Sequence, residues 1–178
     1  MEADAWPMVD EVRRVSAPEH FKALAHPTRQ RLLLALGQRP ATVSQLAAEL
    51  GIHKGNVAHH LKVLADAGLI APSGTRRVRG GTEQYYSRTA RRLDYSGPQA
   101  GEATAAAFQV VADEISRARP DPFVVLRTLR LTPQRAERLL ATLRELSEVA
   151  DEDDDQPAYR LLLGLYQPPH AAGGPDAP

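Results

Sequence analysis

The sequence predicts an α+β protein built on a helix-turn-helix with a β-hairpin wing, followed by an apolar-striped helix and a small strand-helix-strand unit. Three observations predict it. A helix that opens at Thr42 is stopped by Gly51 and a second helical pattern resumes at once. Two β-compatible runs, one crowded with arginine, turn back on each other at Gly80-Gly81. Charge is also segregated along the chain: the 22 basic and 22 acidic residues cancel overall, but His20 to Arg92 holds twelve Lys or Arg against three acids. From Leu93 onward, eight Arg face fourteen acids. A basic module joined to an acidic one points to a polyanion partner for the first part.

The elements follow in order. Phe21, Leu24 and Ala25 recur at helical spacing over about Ala17 to Ala25, and the His26-Pro27 step ends that helix. Pro27 then opens a second helix, with Leu32, Leu33 and Leu36 inward, which Gly37 ends. Thr42-Val43-Ser44-Gln45 has the form of a capping box, and Leu46, Ala47 and Leu50 fall on one face behind it. After Gly51, the segment from about His53 to Ala67 places Val57, Leu61 and Leu64 inward. Leu69 to Arg79 and Thr82 to Arg88 form the hairpin.

Ser96-Gly97-Pro98 marks a boundary. Ala103 to Arg119 is an Ala-rich helix whose stripe of Phe108, Val111, Ile115 and Ala118 needs a partner. Val124 to Arg130 reads as a strand, Thr132-Pro133 caps a helix with Ala136, Leu139, Leu143 and Leu146 aligned, and Tyr159 to Tyr166 reads as a last strand. Gln167 to Pro178 has the composition of a disordered tail. The expected organisation is therefore an N-terminal extension (1–16), a winged helix-turn-helix (17–97), a C-terminal region (98–166) and the tail (167–178).

With Val57, Leu61 and Leu64 inward, Gly55, Ala58, His59 and Lys62 face the other way, flanked by Lys54 and Asn56. This is the face of a major-groove reader: Asn bonds adenine bidentately, Lys reaches guanine or phosphate, and Gly lets the backbone approach. An ordinary solvated helix face would carry similar residues. Arg76, Arg77 and Arg79, with Gly80, Gly81 and Thr82 at the tip, form a cationic cluster suited to phosphate or the minor groove, although edge protection of a sheet also uses charge. Of Tyr85 and Tyr86, on opposite faces of their strand, one belongs to the core and the other to the surface.

Ala23-Leu24-Ala25-His26-Pro27-Thr28-Arg29-Gln30-Arg31-Leu32-Leu33 resembles the opening signature of the ArsR-like winged-helix repressors. The segment Val43 to Ile70 is similar to that family's helix-turn-helix, and Gly80-Gly81-Thr82-Glu83-Gln84-Tyr85-Tyr86 resembles its wing. The likeness spans about Ala17 to Ala90. It implies a homodimeric transcriptional repressor acting on double-stranded DNA, with a small-molecule effector an open possibility; a cytoplasmic location is expected from the lack of a signal peptide or membrane-length run, and a bacterial source from the low Lys and high Arg and Ala usage. It also implies that Phe108, Val111, Ile115 and Ala118 lie on a dimerisation helix.

Other functions are narrowed by composition. The chain has no cysteine, which removes thiol chemistry and thiolate metal sites. Metal-sensing members of the family resembled use a cysteine motif, or Asp and His on the dimer helix. Here that helix offers Asp113 and Glu114 without a His, so no metal sensing is expected. His59 and His60, adjacent on a helix, diverge too far to chelate one ion, and Asp151 to Asp155 lacks the spacing of a calcium loop. No catalytic constellation, cofactor motif, signal peptide or membrane-length apolar run is present, so no enzyme, no cofactor and no membrane partner are expected. The alternative to a regulator is a winged-helix protein-protein interaction module without specific DNA binding.

Overall fold

Two prolines and a histidine set the frame of the first helices. In the computed structural model, which describes residues 10–95, 100–117, 123–149, 156 and 159–167, β1 (Asp10–Val15) leads into α1 (Pro18–Leu24) and α2 (Pro27–Leu36). Each helix starts with proline in its first turn, where the missing N–H costs nothing. His26 caps α2: its Nδ1 accepts the Thr28 N–H at 3.1 Å. Then come the short β2 (Ala41–Thr42), α3 (Val43–Leu50) and α4 (Lys54–Asp66). The capping box of α3 is complete, with the Gln45 N–H bonded to Thr42 Oγ1 at 3.3 Å and the Thr42 N–H to Gln45 Oε1 at 2.9 Å.

Gly51 ends α3 at φ 65°, a left-handed position that a side chain would strain, and this sharp exit sets α4 across α3. Leu32, Leu36, Leu46, Val57, Leu61 and Leu64 from the three helices are fully or almost fully buried in one core. The hairpin follows as β3 (Ile70–Val78) and β4 (Gly81–Arg88), with β5 (Ala90–Tyr95) behind it. An antiparallel sheet runs β2-β4-β3, and β1 pairs parallel with β5 from Asp10 opposite Ala90 to Val15 opposite Tyr95. A bulge between Pro72 and Gly74 lets β3 accommodate a proline.

The extension expected over residues 1–16 thus contains a strand. Val9, Val12 and Val15 recur every third residue, matching neither strand alternation nor a long helix, and a parallel partner eighty positions away leaves no local signal. Arg13 pins this strand to the hairpin's base, donating to the Gly68 carbonyl at 2.6 Å and to Thr89 Oγ1 at 3.3 Å.

The first compact unit runs to Phe123 and includes α5 (Ala100–Ile115). The expected boundary at Ser96-Gly97-Pro98 lies outside the described residues; α5 packs on α1 and α2, and the compact unit that holds it runs to Phe123. The second unit, 124–178, contains α6 (Pro133–Leu146), capped by Thr132 accepting the Arg135 N–H at 3.3 Å. The strands expected at Val124–Arg130 and Tyr159–Tyr166 are not formed, so the strand-helix-strand unit reduces to α6 among the described residues. β-propensity measures fit to a pleated neighbour, and a run becomes a strand only when another takes up its N–H and C=O groups. The acidic loop at Asp151–Asp155 and the tail beyond Gln167 lie outside the described residues.

Candidate nucleic-acid interface

α4 presents two faces. Val57, Leu61 and Leu64 are buried, while Lys54, Gly55, Asn56, Ala58, His59 and Lys62 are all exposed. The helix starts at His53, whose Nδ1 accepts the Gly55 N–H at 3.3 Å. Lys54 and Asn56 therefore stand in the first turn, the part of a reading helix that meets base edges. Lys62 is not idle in the absence of DNA: its Nζ lies 3.0 Å from an Asp66 carboxylate oxygen one turn on. Such an exposed i,i+4 pair is weak and readily exchanged for a phosphate.

In the hairpin, Arg76 stands opposite Glu83, Arg77 opposite Thr82 and Val78 opposite Gly81. Arg76, Arg77, Arg79, Gly80, Gly81 and Thr82 are exposed together at its distal end. Gly80 turns the chain at φ 106°, a conformation that leaves the tip without a side chain. Tyr86 packs against the core and Tyr85 is half-buried.

A histidine cluster lies behind the reading helix. The His26 and His60 rings stand 4.6 Å apart, and His59 lies 5.4 Å from His60. Burial, then the positive charge of Arg29 and the neighbouring His59, lower the pKa of His26. Burial also lowers that of His60, with His26, Arg29 and His59 adding to the effect. Arg29 is held in place by the end of α1, donating to the Ala23 carbonyl and, at 2.7 Å, to the Lys22 carbonyl. The contact of His60 with His26 was not expected from the sequence, since pairing across two helices has no linear signature.

α5 has two apolar faces. Ala103, Ala106 and Val110 are buried against α1 and α2, and Arg31 of α2 bridges to Asp113 at 2.7 Å. Phe108, Val111 and Ile115 point elsewhere, roughly a third of a turn round the helix. Phe108 is 46% and Ile115 38% exposed, and Val111 is half-buried. Ala118, expected on the same stripe, lies outside the described residues. Among the described residues no group of three or more His, Cys, Asp or Glu is arranged to hold a metal ion. No helix there is long and apolar enough to cross a membrane.

Comparison with known proteins adds an independent line. A helix-turn-helix domain family model matches residues 24–72. The HTH-type transcriptional regulator Rv0081 of Mycobacterium tuberculosis is 34% identical over 113 residues, covering 63% of this chain and 85% of its own. The HTH-type transcriptional regulator CmtR of the same organism is 42% identical over 60 residues, 34% of this chain and 51% of its own. A transcriptional repressor SmtB homolog of Synechocystis is 39% identical over 69 residues, 39% of this chain and 48% of its own. The crystal structure of Rv0081 aligns with 31% identity and a TM-score of 0.34, covering 57% of this chain and 97% of that one.

Proposed function

This chain belongs to the HTH-type transcriptional regulators, and on that premise we propose that it is an ArsR-like member that represses transcription as a cytoplasmic homodimer bound to operator DNA. DNA-binding transcriptional regulation is the work of the family, and its members are regulators and not enzymes. The observation that carries the finer reading is the polarity of α4, which buries Val57, Leu61 and Leu64 and leaves Lys54, Asn56, His59 and Lys62 facing outward beside an arginine-rich wing. In this reading Asn56 and Lys54 meet base edges, Gly55 and Ala58 allow close approach, and His59 and Lys62 reach bases or phosphate. Arg76, Arg77 and Arg79 hold the flanking backbone, with Gly80, Gly81 and Thr82 bringing the tip into a groove.

Assembly as a dimer is supported by the second apolar face of α5, where Phe108, Val111 and Ile115 have no neighbours enough to bury them within the described chain. Two copies related by a dyad would then read half-sites about one DNA turn apart. The winged helix-turn-helix of residues 17–97 does the reading, α5 joins the copies, and the region to residue 166 is their C-terminal attachment. Metal sensing has no part in this reading: the chain has no cysteine, and α5 carries Asp113 and Glu114 without a histidine.

The test is binding of the purified protein to the DNA upstream of its own gene against scrambled DNA of equal length, across a salt series. A preference of about a thousandfold or more, falling steeply with salt, is expected. Equal, weak binding to both, with no preferred site in a selection from random DNA, would favour the protein-interaction reading.

A further inference from the structure

The contact between His26 and His60 joins the start of α2 to the middle of α4, and the His26 imidazole caps α2 through an unprotonated nitrogen. His26 Nδ1 accepts a backbone N–H, so this nitrogen carries no proton while the cap is made. His60 Nδ1 is buried with no acceptor in reach among the described residues. Protonation would therefore put a second donor against the Thr28 N–H, bury a cationic N–H without a partner, and place two cations with ring centroids 4.6 Å apart.

The surroundings offer no relief. The charged groups acting on the pair are Arg29, from α2, and His59, from α4, both cationic when charged. On α1, Glu19, His20 and Lys22 are the ionisable residues, and none is among the charges that shift either ring. We propose that His26 and His60 form a proton-binding site between α2 and the reading helix, a latch that seats α4 when neutral and loosens it when protonated, so that DNA is released in acid. The latch rests on the reading of α4 as the DNA-contacting helix.

The direction follows from where protons bind more readily. Both rings have pKa values below the ordinary histidine value of about 6.5. The loosened or unfolded chain therefore takes up protons first as pH falls. The stabilisation is present above about pH 6.5 and is lost below it. His59 is exposed on the reading face, so the latch is read as a difference between proteins that all keep His59.

The variants are His26→Asn, which keeps a capping oxygen but cannot titrate, and the double His26→Asn, His60→Gln. Three readouts are taken from pH 7.5 to 5.5: imidazole midpoints by NMR, the urea unfolding midpoint without DNA, and affinity for the upstream fragment. The expected result is His26 and His60 midpoints below 6.5 and a wild-type unfolding midpoint that falls more steeply than the double variant's. The ratio of wild-type to double-variant affinity should drop about tenfold across the series, with the single variant intermediate. If the double variant does not fold, the single variant decides by the same comparison. Midpoints at or above 6.5, or parallel pH profiles for wild type and variant, would overturn the proposal. A protein that binds no DNA at any pH would overturn the regulator reading instead, while the unfolding series still decides whether the pair takes up protons against the fold.

Discussion

Tyr95 donates its hydroxyl to Gln30 Oε1 at 3.2 Å, and the Gln30 amide nitrogen donates in turn to the Leu24 carbonyl at 2.8 Å and the Ala103 carbonyl at 3.5 Å. Four elements, β5, α2, α1 and α5, meet at one side chain that is only 4% exposed. A buried amide with its acceptors and donors satisfied adds directional specificity to a core otherwise built of leucine.

Replacing Gln30 with Ala strands the Tyr95 hydroxyl and the Leu24 carbonyl and leaves a void. Destabilisation of about 1–3 kcal/mol is expected from the lost partners alone, read as a lower urea midpoint at unchanged slope. Tyr95→Phe, which leaves the amide able to keep its carbonyl bonds, should cost about 0.5–1.5 kcal/mol. If Gln30→Ala is no worse than an exposed control such as Gln38→Ala, the network does not bear on stability.

Burial raises the Tyr95 pKa above 10, against the smaller opposing effects of the Gln30 hydrogen bond and Arg88. The unfolded chain then loses the phenolic proton first, so this contribution to stability is full below about pH 10 and declines above it. Ultraviolet titration should show one of the five tyrosines ionising later than the rest, and Tyr95→Phe should remove that late component.

On the reading helix, Asn56→Ala should relax base preference at one position, at a cost of about 1–3 kcal/mol for the preferred base. Lys62→Ala should weaken all sequences alike and reduce the salt slope by about one. The Asp66 contact adds a second arm: Asp66→Asn frees Lys62 and should strengthen DNA binding at low salt. Competition assays with single-base variants separate these outcomes, and a sequence-dependent effect of Lys62→Ala would move it from phosphate to base contact.

For the wing, each of Arg76, Arg77 and Arg79 that meets phosphate should contribute about 0.9 to the slope of log affinity against log salt. Arg76 faces Glu83 across the hairpin, so Arg76→Ala should change the slope less than Arg77→Ala. Equal slopes for all three single variants and wild type would remove the wing from the interface.

Phe108→Asp places a charge on the outer stripe of α5 without touching Ala103, Ala106 or Val110. Sedimentation should show a monomer where wild type is a dimer, with helical content retained. Dimers that persist would place the interface elsewhere.

The parts legible in the sequence are those whose signals are local. Thr42 and Gln45 advertised the start of α3, Gly51 its end, and the spacing of Val57, Leu61 and Leu64 the buried face of α4. β1 and β5 left no such trace, because their pairing is parallel and joins residues far apart. The apolar runs at Val124 and Tyr159 show the converse: β-branched and aromatic composition favours a pleated surface without supplying one. On α5 the stripe of Phe108, Val111 and Ile115 was visible, yet a second stripe through Ala103, Ala106 and Val110 is the one buried in its own chain. Small alanines carry little hydrophobic contrast, so a face made of them is quiet in the sequence and decisive in packing.

The parallel pairing of β1 with β5 also orders events in time. Asp10 finds Ala90, and Val15 finds Tyr95, only after everything between them exists. During synthesis from the amino terminus, β1 is made well before β5 and cannot take up its pairing until β5 has followed. Closing so long a loop is entropically slow, and Arg13 can engage the Gly68 carbonyl only once it has closed. The wing's base is therefore clasped by a strand whose own partner is made some eighty residues later.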